Sequence, residues 1–258
     1  MRRVLIIGIG AGDPEQVTVQ AVKALNETDV FFIIDKGTDK QDLTALREQI
    51  CERYIENRAY RVVHAPDPER DRAAARYGPA VEEWRHQRAE IYEQLITGEL
   101  GDGECGAFLV WGDPALYDST LAIIEQIIAK GALDLEYEVI PGITSVQALA
   151  ARHRVSLTQV GKPLHITTGR RLSGGFPGNS DDVVVMLDAA CAFADVAPAG
   201  MKIYWGAYIG TKDEILMSGN LADVAGQIQA VRREARARKG WIMDTYLLRR
   251  TSGRTSGQ

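Results

Sequence analysis

The first fourteen residues nearly spell a dinucleotide-binding fingerprint and then depart from it at one position. Val4-Leu5-Ile6-Ile7 reads as a buried parallel strand, and Gly8-Ile9-Gly10-Ala11-Gly12 follows it as a tight turn. A dinucleotide fold carries G-x-G-x-x-G here, the last glycine opening a helix whose N-terminus receives a pyrophosphate. This chain has Asp13-Pro14 at that place. Aspartate caps a helix and proline suits its first turn, but the carboxylate also stands where a phosphate would go. The turn commits the chain to an α/β sheet and to a ligand other than an anion.

Strand-like and helical runs alternate through the first half. Strands are expected at Val4–Ile7, Val30–Ile34, Tyr60–Val63, Ala107–Trp111 and Glu136–Ile140. Helices are expected at Pro14–Asn26, Leu43–Tyr54, within the charged stretch Pro68–Leu95, and at Ser119–Ala129. Five strands with four crossovers describe a parallel sheet wound with helices. After Pro141-Gly142 the pattern changes. A short helix at Ser145–Ala151 precedes strands at Leu164–Thr167, Val183–Leu187, Lys202–Tyr208 and Glu214–Ser218, a helix at Leu221–Ala237 and a last strand at Trp241–Leu247. The strands at 202–208 and 214–218 stand too close for a helical crossover, so they form a hairpin in a mixed sheet. The expected organisation is an N-terminal parallel-sheet α/β domain over 1–141 and a C-terminal mixed-sheet α/β domain over 142–250. The tail 251–258 repeats Thr-Ser-Gly without apolar residues and is read as disordered, either native or an expression remnant.

Composition narrows the class. A chain of 258 residues with 45% hydrophobic and 25% charged residues has the make-up of a soluble globular protein. No apolar run approaches the roughly 20 residues of a membrane span, and with a strand read at residue 4 no signal peptide is expected. The net charge of −5 speaks against a nucleic-acid surface. Cys51, Cys105 and Cys191 are odd in number and far apart, as expected of packing residues in a reduced, cytoplasmic protein, with Cys51 and Cys191 in helices. His64, His86, His153 and His165 lack metal-ligand spacing, so no metal is expected. The Arg- and Glu-rich runs Glu69–Arg88 and Arg232–Lys239 read as solvated helix faces.

Three further segments carry chemical content. In Trp111-Gly112-Asp113-Pro114-Ala115-Leu116-Tyr117-Asp118 a strand runs into a glycine that permits close approach by a ligand and a proline that fixes the turn. Ligands of open α/β sheets lie beyond the carboxyl ends of strands, so this loop and residues 8–14 would edge one crevice; the alternative is a plain turn. Pro141-Gly142-Ile143-Thr144-Ser145 places hydroxyls at a helix start, either as caps or as ligand contacts. His165-Ile166-Thr167-Thr168-Gly169-Arg170-Arg171 sets two arginines after a strand, either a solvated loop or a bidentate carboxylate site.

In this order, G-x-G-x-G-D-P, G-D-P-x-x-Y, P-G-I-T-S and T-T-G-R resemble the tetrapyrrole (corrin/porphyrin) methylases. The resemblance runs from Val4 to about Leu248 and includes Gly206–Leu221. It implies two α/β domains with the active site in the trough between them. It also implies S-adenosylmethionine as methyl donor, S-adenosylhomocysteine as product, a tetrapyrrole substrate and a homodimer. Carried over by position, Gly112, Asp113, Leu116, Thr144, Ser145, Met186, Leu187, Tyr208 and Thr245 would bind the donor. Gly10, Gly12 and Asp13 would edge the tetrapyrrole, and Arg170 and Arg171 would hold its carboxylates. Ala11 replaces the family's usual proline, Asp35-Lys36-Gly37 ends the second strand, and the stretch 39–98 is long. These details resemble a branch that removes an acetyl group while methylating a precorrin. Asp35, Tyr117 and His165 are then the candidates for acid or base, with Asp113 a further one. The rival reading is a nicotinamide oxidoreductase, with Asp35 as its ribose carboxylate; Asp13 counts against it.

Overall fold

The computed structural model describes every residue except 36–40, 57–58, 69–76, 132, 198 and 252–258. The chain divides into two compact units, Met1–Thr144 and Ser145–Gln258.

In the first unit five strands, β1 (Arg2–Gly8), β2 (Val30–Asp35), β3 (Arg61–Pro66), β4 (Cys105–Val110) and β5 (Leu135–Ile140), form an all-parallel sheet in the order β3-β2-β4-β1-β5. Alternate side chains of the continuous apolar run in β1 serve two cores. Leu5 and Ile7 pack with Ala21, Leu25 and Ile50 of α1 (Val19–Glu27) and α2 (Gln41–Tyr54). Val4 and Ile6 pack with Tyr92, Ile96, Ile123 and Ile127 of α3 (Tyr77–Glu99) and α4 (Thr120–Ala129). Burial on both faces is why these strands read as unbroken hydrophobic runs.

The second unit opens with α5 (Ser145–His153) and carries a sheet in the order β6-β7-β10-β8-β9. Its strands are β6 (Leu164–Thr168), β7 (Asp182–Met186), β8 (Met201–Ala207), β9 (Ile215–Asn220) and β10 (Asp244–Arg250). A short α6 (Gly169–Leu172) follows β6, and α7 (Leu221–Lys239) follows β9. β6 and β7 are parallel and the remaining pairs antiparallel, with β8 and β9 the expected hairpin. The two α/β units with these sheets are the fold class read from the sequence.

Several local expectations are corrected. The helix expected from Pro14 is two elements: Asp13 caps only a 3-10 turn, Pro14–Gln16, and Thr18 starts α1 by accepting the Ala21 amide at 3.1 Å. Cys191 is not helical. It sits in the left-handed region (φ +61°) before the 3-10 turn Ala192–Asp195. The last strand starts at Asp244 rather than Trp241. The two charged runs are not wholly solvated either. Arg88 and Arg232 are buried, ion-paired to Asp67 at 3.0 Å and Asp244 at 2.9 Å. A buried arginine with its partner is indistinguishable by sequence pattern from a surface one. Part of the first charged run, Lys36-Gly37 and the tail 252–258 lie outside the described residues. Among the described residues no helix is long and apolar enough to cross a membrane.

Candidate active site

Three loops meet at the carboxyl edge of the first sheet. The loop after β1 and the loop after β4 are joined by a two-bond bridge: Gly112 N–H donates to the Gly10 carbonyl at 2.8 Å, and Gly10 N–H to the Gly112 carbonyl at 3.3 Å. The loop after β5 closes on both. A Cβ on Gly142 would stand 2.0 Å from the Gly112 carbonyl oxygen, and one on Gly8 2.6 Å from the Gly142 nitrogen. Glycine is required at Gly8 and Gly142 by backbone crowding. Gly112 differs: its φ is +72°, and a Cβ there would meet only the Thr144 Cα at 3.7 Å. Its surroundings leave room for a ligand to approach the backbone.

Asp113 clips the assembly together. One carboxylate oxygen accepts the Ala115 amide and the other the Gly142 amide, each at 2.8 Å. With each oxygen engaged by an amide, its carboxylate serves as a loop clip. Leu116 is half-buried, with its amide on the Asp113 carbonyl, and Thr144 is buried beside Gly112. The Trp111 indole N–H, which precedes Gly112 in the chain, is buried without a hydrogen-bond partner. Buried donors without a partner are rare, and this one immediately precedes the open glycine in the chain. Gly12 is also left-handed in φ (+143°). Asp13 spends one oxygen on the Glu15 amide at 2.9 Å.

The acid–base candidates of this unit are held differently. Asp35, at the end of β2, contacts His64 Nδ1 at 3.1 Å and Thr44 Oγ1 at 3.3 Å, and His64 Nε2 lies 4.0 Å from Glu48. A carboxylate so engaged orients an imidazole, and His64 was not singled out by sequence spacing. Tyr117 is exposed, in the left-handed region (φ +54°), and partial desolvation raises the phenol above its ordinary range. It is therefore protonated near neutral pH and suited to donate a hydrogen bond.

In the second unit the sequence-derived donor residues share one sheet edge. β7 and β8 both end where β10 begins, so Thr245 pairs with Met186 on one side and Gly206 on the other. Leu187 (φ +53°) and Tyr208 (φ +49°) follow the ends of β7 and β8, two non-glycine residues in the left-handed region. Such strain persists only where surroundings enforce it and gathers at functional sites. Leu187 is 62% exposed, whereas the Tyr208 ring is buried and its hydroxyl donates to the Trp241 carbonyl at 2.6 Å. Any ligand contact by Tyr208 is thus through its backbone. Ser145 Oγ lies 2.9 Å from Thr245 Oγ1. Behind this edge Asp188 accepts the Ala190 and Ala192 amides and the Tyr246 hydroxyl, while Asp244 holds Arg232 and the Trp205 indole at 2.9 Å. No motif announced this buried scaffold. His165 is exposed on β6, and Arg170 and Arg171 are exposed on α6.

The family model described as tetrapyrrole (corrin/porphyrin) methylases matches residues 3–225. A precorrin-6A synthase [deacetylating] of Sinorhizobium sp is 52% identical over 250 residues, covering 97% of this chain and 96% of that protein. The crystal structure of a cobalamin-synthesis-related protein (CobF) from Corynebacterium diphtheriae superposes with a TM-score of 0.83 at 37% identity, covering 98% of this chain and 100% of that one. A uroporphyrin-III-C-methyltransferase from Thermus thermophilus, 18% identical, shares the fold with a TM-score of 0.60 over 96% of this chain and 92% of that one. With a match across most of its length and a relative this similar end to end, the chain belongs to the tetrapyrrole (corrin/porphyrin) methylases.

Proposed function

We propose that this protein is a precorrin-6A synthase of the deacetylating type. It transfers a methyl group from S-adenosylmethionine to C-1 of precorrin-5 and releases the acetyl group as acetate, in cobalamin biosynthesis. The observation that carries this reading is the 52% identity, sustained over 97% of the chain, to a protein of that name. A methylase sharing only the fold is not expected to retain such identity from end to end.

The donor supplies an electrophilic methyl group on its own leaving group, so this chain's task is to hold and desolvate the two reactants. Gly112, Asp113, Leu116 and Thr144 of the first unit, with Ser145, Met186, Leu187, Tyr208 and Thr245 of the second, are the proposed donor residues. The open face of Gly112 fits a ligand held largely through backbone groups. Gly10, Gly12 and Asp13 edge the tetrapyrrole, and Arg170 and Arg171 bind its carboxylates. For deacetylation, water adds to the acetyl carbonyl, the carbon–carbon bond breaks toward the macrocycle, and the ring carbon takes the methyl group. One group must accept the water proton and another must stabilise the developing oxyanion. Asp35, through His64, and His165 are the proposed bases, and Tyr117 the hydrogen-bond donor. We further infer a homodimer acting in the cytoplasm, for which native mass spectrometry and fractionation are the checks.

The test is incubation with precorrin-5 and a methyl-labelled donor, followed by mass spectrometry and an acetate assay. Stoichiometric gain of one methyl and one free acetate is expected. Methyl gain without acetate moves the chain to another C-methyltransferase of the family.

A further inference from the structure

β2 and β4 are neighbours for only part of their length. They pair from Val30 opposite Gly106 to Phe32 opposite Phe108 and then part. β2 continues on β3 as far as Asp35, and β4 continues on β1 as far as Val110. The parting leaves a crevice at the carboxyl end of the sheet, the place where open α/β sheets take ligands. It lies on the side of β4 away from β1 and β5, whose loops carry Gly10 and Gly142.

Arg47 of α2 reaches into this gap. Its Nε donates to the Leu109 carbonyl at 3.0 Å and its Nη1 to the Leu43 carbonyl at 2.9 Å. Nη2 has no hydrogen-bond partner among the described residues, and no carboxylate there lies within ion-pair distance. Arg47 is half-buried, and the more deeply buried arginines Arg88 and Arg232 each hold an aspartate. Burial depresses the basicity of Arg47 more than any neighbour supports it, with Asp118 and Asp35 acting only from a distance. A half-buried guanidinium whose bonds go to two neutral carbonyls keeps its Nη2 edge available to an anion. Its fixed fork matches a carboxylate.

We propose that Arg47 is a substrate anchor, whose Nη2 edge binds one carboxylate side chain of the tetrapyrrole in the crevice between β2 and β4. This rests on the tetrapyrrole reading above. The anchored anion is assigned to the macrocycle, whose several carboxylates call for more than one arginine, rather than to the methyl donor, whose proposed residues in this unit lie in the loops after β4 and β5. Arg47 therefore sets macrocycle position and affinity, not the chemistry.

Two variants test it. Arg47→Gln keeps a donor for the Leu109 carbonyl and removes the charge; Arg47→Lys keeps the charge and removes the fork. For Arg47→Gln the KM for precorrin-5 is expected to rise about 10- to 100-fold, the loss of one charge-assisted carboxylate contact. The kcat and the Kd for S-adenosylhomocysteine should stay within about threefold, a split that a merely structural role would not produce. Arg47→Lys should fall between. In parallel, fluorescence titration of the S-adenosylhomocysteine-saturated protein with uroporphyrin III, a stable octacarboxylate, reads macrocycle affinity without turnover. If wild type binds uroporphyrin III and Arg47→Gln loses it, the anchor stands even where precorrin-5 is not methylated, and only the substrate assignment falls. Unchanged KM and unchanged macrocycle affinity in Arg47→Gln overturn the anchor, as does absence of macrocycle binding by wild type. A loss confined to S-adenosylhomocysteine affinity assigns Arg47 to the donor and overturns it equally.

Discussion

Gly142→Ala and Gly112→Ala should fail in opposite ways, because the two glycines are needed for different reasons. The new methyl at residue 142 would lie 2.0 Å from the Gly112 carbonyl oxygen and 2.8 Å from the Gly8 carbonyl carbon. Ordinary contact requires a retreat of more than about 1 Å, and these are backbone atoms without a rotamer to escape into. That movement also breaks the bond from the Gly142 amide to Asp113, now 2.8 Å. Overpacking of this kind costs about 1–3 kcal/mol and a hydrogen bond to a charged group about 1.5–3 kcal/mol. A combined loss of about 3 kcal/mol or more lowers the melting temperature by about 6–12 °C in a protein of this size. Gly112→Ala has space, since only the Thr144 Cα stands at 3.7 Å, but must hold φ near +72°. That strain costs about 1–2 kcal/mol. Its methyl, however, projects into the open face assigned to the donor, so affinity for S-adenosylhomocysteine should fall at least about tenfold, as expected of about 1.4 kcal/mol. Differential scanning calorimetry and isothermal titration calorimetry read the two quantities. Gly226→Ala, at an exposed position within α7 with nothing within 4 Å, is the control and should gain about 0.5–1 kcal/mol. A Gly142→Ala protein that melts with wild type would refute the crowded-loop reasoning.

Other perturbations separate scaffold from site. Arg170→Ala combined with Arg171→Ala should weaken macrocycle binding and leave S-adenosylhomocysteine affinity nearly intact; equal loss of both, by calorimetry, removes these arginines from the substrate side. Asp244→Ala strands the buried Arg232 guanidinium and the Trp205 indole, now both at 2.9 Å, and should cost about 3–5 kcal/mol in urea unfolding followed by tryptophan fluorescence. Cys51 is buried, and burial pushes its thiol up to about 12. Iodoacetamide at pH 8 should therefore leave it unmodified in the folded protein and alkylate it in urea, as read by peptide mass spectrometry.

The sheets were legible because their signal is local. Val4–Ile7 is apolar at every position, and its structure buries both faces; the spacing of residues 202–208 and 214–218 leaves room only for a hairpin. The glycine turns were legible as loops, but the crowding of Gly8 against Gly142, 134 positions apart in the chain, is a tertiary fact that no window contains. The helix start misread at Pro14 had two capping residues, Asp13 and Thr18, and only the second opens an α-helix. Arg88, Arg232 and Arg47 were hidden for a common reason. Each lies in a helix rich in charged residues, and which arginine faces inward depends on a partner elsewhere: Asp67, Asp244 or the Leu109 carbonyl. His64 escaped notice because its partner Asp35 lies on the neighbouring strand, not at a metal-ligand spacing.

The departure at Asp13 now has a physical account that does not depend on phosphate. A dinucleotide turn uses its glycines to bring backbone amides against a pyrophosphate. Here the Gly10 and Gly112 amides are spent on each other's carbonyls, and the Gly142 amide on Asp113. Three groups able to receive an anion are therefore already satisfied within the protein. The Asp13 carboxylate, held by the Glu15 amide, adds negative charge beside them. An anion entering this turn would have to break those bonds and face that charge, a cost that a flat macrocycle seated against the backbone avoids. What the turn gains is rigidity: three loops from β1, β4 and β5 are fastened by glycine contacts and one aspartate into a single surface. On that surface the face of Gly112 is left open, and the Trp111 N–H that precedes it in the chain is buried without a partner. The glycines of the first turn build the platform, and Gly112 after β4 presents the face proposed for the ligand. A carboxylate replaces the third glycine because the platform needs a cap at Pro14 and has no phosphate to admit.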